Sequence, residues 1–314
     1  MIYWGINALN HGSSLAVFKN GRLLSNTFSR EDELESNVIK TALDVGSPDK
    51  IFWYEQPWVK KHRQLHARQW NRVFDLSAIP SRYLKKIRVN YAPVVYTPHH
   101  ASHAAAGYYT SPFNNCAIVV LDAIGEWECA SIWEGRNGEI KKVWSRSYPH
   151  SLGLFYSAFT DLLGFKPIQE EYLLQNLSVS GNMQKSYLDI KEYMGSVVNA
   201  HKNMHKGIQD FPYEITDDNR ADVAAGVQHV FEEQVDMVMR TAKQLTKANS
   251  LVYMGGCAMN SLANKKVVEP KFEYIWSLPQ PGDPSSSIGS VLYHTQNREW
   301  DYKWDPVKHI EIRV

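Results

Sequence analysis

A chain of 314 residues, 44% hydrophobic and 21% charged, has the composition of a globular protein and the length for one large or two moderate lobes. Its formal net charge of +1 excludes a global field that recruits nucleic acid or membrane, so any such binding needs a local patch. Three widely spaced cysteines exclude a disulfide framework and a zinc knuckle, and no apolar run approaches the roughly 20 residues that span a bilayer.

The first residues carry no basic segment followed by an apolar core, so no signal peptide is expected and a reducing, cytoplasmic setting is. Residues 2–6 predict a buried strand and residues 14–18 a second. Asn20-Gly21 is a hairpin signal leading into a third strand from Arg22. A helix is expected over 31–43 and a strand over 51–54. Residues 60–72 then form a basic run with interleaved aromatics, reinforced by Lys85, Lys86 and Arg88. Such a run is either a solvated helix face or a surface for the phosphates of an acceptor, and Lys61 and Arg63 are its candidate contacts.

The strand 94–96 leads into Thr97-Pro98-His99-His100-Ala101-Ser102-His103, followed by an alanine run. Proline is tolerated at a helix start and alanine favours continuation. His99 and His103, four apart, share a helix face and can hold one divalent metal ion, whereas His100 points elsewhere. The alternative is a histidine-rich helix start with no ligand role.

Residues 117–122 predict a strand, 123–128 a polar turn and 129–133 another strand. Asn137-Gly138 then turns into a strand over 139–144. The strand, polar loop, strand, hairpin and strand of the N-terminus thus recur, and such a repeat fixes architecture. It suits an α/β duplicated fold of the actin/hexokinase type, with lobes over residues 1–112 and 113–314, and two unrelated hairpins are the alternative. Two polar loops would face a central cleft.

Further on, helices are expected over 151–163 and 221–245, and a strand over 251–254 runs into Gly255-Gly256, where the backbone can approach a ligand. Asp283, in a polar turn opening another helix, is a cap or a metal ligand. The tail with Trp300, Tyr302 and Trp304 is expected to be packed strand or loop.

Six motifs occur together in order. They are His11 with Ser13-Ser14-Leu15-Ala16; His99-His100-x-x-His103-Ala104; Asp122-x-x-Gly125-Glu126; Ser151-Leu152-Gly153 with Tyr156; Gly255-Gly256-x-x-x-Asn260 with Asn264; and Gly282-Asp283-Pro284 with Ile288-Gly289. From about residue 2 to about 295 the chain resembles the O-carbamoyltransferases of the nodulation-factor, tobramycin and cephamycin type, whose catalytic domain is related to tRNA threonylcarbamoyl transferases; the resemblance implies an actin/hexokinase-like fold of two ribonuclease-H-like halves.

The resemblance implies a metal held by His99, His103, Asp122 and Asp283, with Fe2+ first and Mn2+ or Zn2+ as alternatives. It implies carbamoyl-adenylate, made from carbamoyl phosphate and ATP, seated against Gly125, Gly255, Gly256 and Asn260. It implies His11 as the base at transfer to an acceptor hydroxyl.

Three departures matter. The family's fused YrdC-like activating domain has no counterpart in the sequence, which implies a separate YrdC-like partner, another donor or lost activity. The family's His-Asp pair reads His11-Gly12. Its Gly-Glu-x-Lys-x-Met-Gly-Leu-Ala-x-x-Gly segment reads Glu170 to Gly181, with Leu173 in place of lysine and Glu170 and Asn176 in place of glycines. Glu171 joins Lys61 and Arg63 as an acceptor-side candidate. A hydroxymethylated pyrimidine, free or in nucleic acid, is one acceptor these changes allow, and a sugar or other small-molecule hydroxyl is another. The alternative readings are a tRNA threonylcarbamoyl transferase-like enzyme and an inactive nucleotide-binding regulatory subunit.

Overall fold

The computed structural model describes residues 1–9, 12–29, 33–89, 92–196 and 200–298. The first half contains β1 (Ile2–Asn7), β2 (Ser13–Lys19), β3 (Arg22–Ser29), α1 (Leu34–Asp44), β4 (Lys50–Trp53), α2 (Pro57–His66), α3 (Trp70–Phe74), α4 (Pro80–Lys86), β5 (Val94–Tyr96) and α5 (His99–Thr110). The second contains β6 (Asn115–Gly125), β7 (Glu128–Arg136), β8 (Glu139–Ser147), α6 (Leu152–Leu162), α7 (Glu171–Ser178), α8 (Tyr187–Met194), α9 (Arg220–Thr246), β9 (Ser250–Met254), α10 (Ser261–Ala263), β10 (Tyr274–Trp276) and α11 (Ser286–Thr295).

The two sheets have the same wiring. One runs β3-β2-β1-β4-β5 and the other β8-β7-β6-β9-β10. In each, a three-stranded antiparallel meander is extended by two parallel strands. The meanders close through Asn20-Gly21 and Asn137-Gly138, and all four residues have positive φ. That is the backbone the right-handed twist of a two-residue hairpin demands.

Helices α5 and α11 lie together between the sheets. Their shared core joins Ala16, Phe18 and Phe52 of the first sheet to Ile118, Val120 and Val252 of the second, through Ala104, Ala105, Val291 and Leu292 of the helices. Every residue of α5 is buried, which explains its run of small side chains. Gly289 of α11 faces the carbonyl of Ser102, and Gly5 of β1 faces that of Ser287. A Cβ at either position would overlap backbone. Outside the sheets, Leu34, Val38 and Leu84 cover one flank, and Phe155, Phe159, Val227 and Phe231 the other. The result is five layers alternating helix and sheet.

The helix expected over 31–43 begins at Leu34, and the one expected over 221–245 runs from Arg220 to Thr246. Pro98 is the N-cap of α5 rather than its first helical residue. The aromatic tail from Trp300 lies outside the described residues. Among the described residues no helix is long and apolar enough to cross a membrane.

Candidate metal centre

Four side chains from three segments meet where α5 and α11 begin. His99 opens α5 and His103 follows one turn later, both buried. Asp122 stands where β6 leaves its regular ladder with β7, between Leu121 and Gly125. Asp283 opens the short turn before α11, and its backbone carbonyl accepts a hydrogen bond from Asn7 Nδ2 at 2.7 Å.

The Nε2 atoms of His99 and His103 are 3.1 Å apart. His99 Nε2 lies 3.1 Å from Asp122 Oδ2 and 3.3 Å from Asp283 Oδ1, and His103 Nε2 lies 3.7 and 3.4 Å from the same oxygens. One donor atom from each residue fits within a 4.8 Å span. Donors bound at about 2.0–2.2 Å to one ion stand about 3–3.6 Å apart, so these spacings suit a shared cation. Asp283 Oδ1 is buried, and among the described residues the two imidazole nitrogens at 3.3 and 3.4 Å are the polar groups it faces, spacings that an ion between them would satisfy. Two imidazoles and two carboxylates form a mixed N/O set suited to Fe2+, Mn2+ or Zn2+.

The protonation states point the same way. Burial opposes charge on both imidazoles. The negative charges of Asp283 and Asp122 overcome it for His99, which is held well above the ordinary histidine range, and hydrogen bonding to the two carboxylates raises His103. Burial also opposes ionisation of the carboxyls, but the paired imidazoles hold Asp122 well below its ordinary value and Asp283 below its own. The two carboxylates thus draw positive charge onto the imidazole pair, and a divalent cation bound here would compete with protons for the same nitrogens.

The surroundings fix the four groups. Gly125 lies against the His99 ring, which a Cβ would overlap. Tyr54 packs on the other side, ring centroids 5.4 Å apart. Asp122 Oδ1 accepts from Gly256 N at 3.3 Å, and Gly255 N donates to Pro281 O at 2.8 Å. The double glycine thus ties one carboxylate to the loop that carries the other. Gly255 has φ of 92°, and a Cβ there would strike the Leu121 carbonyl. Asn260 is buried with its amide engaged on both sides: it exchanges 3.0 Å hydrogen bonds with Gln228 and accepts from Ala263 N.

Of the acceptor-side candidates, Lys61 turns its ammonium back onto the carbonyls of Arg72 and Asp75. Glu171 accepts from Ser157 Oγ at 2.6 Å and from Ile168 N. Arg63 is 4% exposed, and among the described residues its Nε and Nη1 have no hydrogen-bond partner. None of the three belongs to the four-residue cluster. His11 lies outside the described residues.

Sequence pattern alone assigns no role to Glu126, although it stands in the Asp122-x-x-Gly125-Glu126 motif. Its carboxyl is buried, accepts from Gln56 N at the start of α2, and is pushed up to about 7, mainly by burial. Such a group exchanges a proton near neutral pH.

A family model described as Carbamoyltransferase N-terminus matches residues 55–292. Protein sll1178 of Synechocystis, itself uncharacterised, is 27% identical over 92% of this chain and 56% of its own length. Uncharacterised protein MJ1058 of Methanocaldococcus jannaschii is 26% identical over 89% of this chain and 49% of its own. Nodulation protein NolNO of Sinorhizobium fredii is 23% identical over 63% of this chain and 31% of its own. The chain spans about half the length of the first two relatives and less of the third. Among solved structures, the activator of the 2-hydroxyisocaproyl-CoA dehydratase from Clostridium difficile, with bound ADPNP, superposes with a TM-score of 0.51 at 12% identity, covering 94% of this chain and 96% of that one. Lmo2764 of Listeria monocytogenes superposes at 0.50 and 9% identity, covering 94% and 99%. These likenesses show the fold, hexokinase-like as the repeat predicts.

Proposed function

The chain belongs to the carbamoyltransferase family, and from that premise we propose that it moves a carbamoyl group from carbamoyl-adenylate to an acceptor hydroxyl at the His99, His103, Asp122 and Asp283 cluster. The convergence of those four side chains, with the buried Asp283 oxygen facing both imidazoles, is the observation that carries this reading. A divalent ion bound there supplies Lewis-acid polarisation of the carbamoyl group and a handle for the phosphate.

The residues of the chain do the rest. Gly256 N–H orients Asp122, and Gly125 lets His99 approach. The nucleotide is assigned to the walls formed by Gly125, Gly255, Gly256 and Asn260. The acceptor oxygen attacks the carbamoyl carbon, the bond from that carbon to the phosphate oxygen breaks, and AMP leaves. The hydroxyl proton passes to His11, and the carboxyl of Glu126 is a second group able to take it near neutral pH. Carbamoyl-adenylate comes from carbamoyl phosphate and ATP through a YrdC-like unit, on a partner or on further sequence.

The test is incubation of metal-loaded protein with carbamoyl phosphate, ATP, a YrdC-like protein and hydroxylated acceptors, hydroxymethylated pyrimidines included. The expected result is the mass of one added carbamoyl group on one acceptor class, abolished by His11→Ala. No gain on any hydroxylated acceptor overturns the reading.

A further inference from the structure

Between β4 and β5 the chain leaves the sheet for the excursion 57–89, which holds nine lysines and arginines and a single acid, Asp75. The whole protein has a net charge of only +1, so this one segment is strongly basic and the remainder is net acidic. Its aromatics are also placed unusually. Trp58, Trp70 and Phe74, on the α2 and α3 pair, are 66%, 52% and 73% exposed. Arg68, Arg72, Lys85, Lys86 and Arg88 are exposed with them. A merely solvated helix face does not call for large exposed aromatics beside its cations. Stacking platforms interleaved with positive charge are how sequence-tolerant single-strand binders are built.

The excursion leads to the four-residue cluster. Gln56, just ahead of α2, donates its N–H to Glu126. His62 and His66 of α2 flank Trp127, at ring-centroid distances of 5.7 and 5.2 Å. Residues 125–127 are the turn whose Gly125 packs on His99. On the same helix, among the described residues, no carboxylate forms an ion pair with the buried Arg63 guanidinium. An unpaired buried charge is costly, and a phosphate oxygen would satisfy it.

We propose that residues 57–89 bind single-stranded nucleic acid, with bases stacked on Trp58, Trp70 and Phe74 and one phosphate held by Arg63, so that the acceptor hydroxyl belongs to a nucleotide of that strand. The identity of the acceptor rests on the transferase reading, whereas the binding surface does not.

Fluorescence anisotropy with labelled oligodeoxythymidylate, the matching RNA and a duplex tests the surface across a salt series. Single strands are expected to bind at least about tenfold more tightly than duplex. Trp70→Ala with Phe74→Ala is expected to weaken single-strand binding about tenfold or more, with circular dichroism and metal content unchanged. Lys85→Gln with Lys86→Gln is expected to flatten the salt dependence by about 0.7 for each phosphate that the pair neutralises in the wild type. Arg63→Met is expected to weaken binding without lowering Tm, because among the described residues the Nε and Nη1 of the guanidinium have no hydrogen-bond partner to lose. A lower Tm with unchanged affinity would make Arg63 structural and remove it from the site.

The surface is overturned by no saturable binding at low salt, by equal affinity for single strand, duplex and heparin, by indifference to the aromatic substitutions, or by preference for phosphatidylserine vesicles. Aromatic-dependent strand binding without carbamoyl gain overturns only the transferase reading. Carbamoyl gain on a small molecule without strand binding overturns only the surface.

Discussion

In the first half of the molecule β5 runs into α5 and sets His99 and His103 on the first turns of that helix; in the second, β10 runs toward α11 and sets Asp283 just before it. The junctions are equivalent in topology, yet one delivers two nitrogens and the other an oxygen. The same holds at the leading strands. Counting from the last pair that β1 makes with β4, Ile6 with Trp53, and the last that β6 makes with β9, Val120 with Met254, Ala8 corresponds to Asp122. After β4 comes Tyr54, packed on His99; after β9 comes Gly255, where any side chain would strike β6. Duplication therefore supplies two sets of strand ends pointing at one place, and the chemistry arises where the halves stop being alike.

The largest expected effect comes from breaking that asymmetry. His103→Ala and Asp283→Ala each remove a donor from a different half, and each should cut carbamoyl transfer about a thousandfold, ~4 kcal/mol in the barrier, with loss of bound metal. Metal analysis of the purified variants checks this. If Asp283→Ala holds metal like the wild type, the second half contributes no donor and the comparison fails there.

The next effect separates the two central helices. Gly289 of α11 abuts the backbone of Ser102, which cannot yield, so Gly289→Ala should cost ~3 kcal/mol. Gly107 of α5 instead faces the side chains of Val252 and Met254, and methionine can swing aside. Gly107→Ala should therefore cost less, about 1–2 kcal/mol, by denaturant midpoint. Equal losses would mean that the two helices are seated equally tightly.

Glu126 links the halves through the Gln56 N–H, and its effect depends on pH. Burial raises it from 4.5 in the unfolded chain to about 7 in the fold. Between those values the unfolded chain gives up a proton that the native state keeps, so the contribution is full below about pH 4.5 and is lost as pH rises through about 7. The loss is at most about 3 kcal/mol. In chelator-treated protein, Glu126→Gln should retain the bond from Gln56 and flatten the fall in stability from about pH 5 to about pH 8. An unchanged fall would place the titration elsewhere.

Whatever depends on neighbours in sequence was legible in the chain. Both Asn-Gly hairpins, the repeat they belong to and the one-face pairing of His99 with His103 are local consequences of backbone preference and helical period. The meeting of Asp122 and Asp283 was not local, and only the ordered motifs suggested it. Burial was the blind spot. Lys61 reads as a candidate contact in a basic run, and only the fold shows that its ammonium also reaches the carbonyls of Arg72 and Asp75. Asn260 reads as a ligand contact, and the fold adds a buried hydrogen-bond partner, Gln228 of α9, that no short-range signal marks. Glu126 became notable only once its carboxyl was seen to be enclosed. Each of these depends on which distant segment covers a side chain, and periodicity carries no such information.

The smallest effect tests the likeness of the two hairpins themselves. Gly21 and Gly138 occupy the same turn position, with φ of 85° and 87°. A Cβ on Gly138 would meet no atom within 4 Å, so Gly138→Ala should report only the left-handed backbone penalty, about 1 kcal/mol. A Cβ on Gly21 would come 3.2 Å from the Asn297 side-chain amide, which also donates to the Gly21 carbonyl. Gly21→Ala should then cost about 1–2 kcal/mol, the excess measuring how firmly the segment after α11 holds the first hairpin. Asn297→Ala in the Gly21→Ala background isolates that excess. If the two glycine substitutions cost the same, the Asn297 side chain adds nothing to the turn, and the hairpins are equivalent in energy as well as in shape.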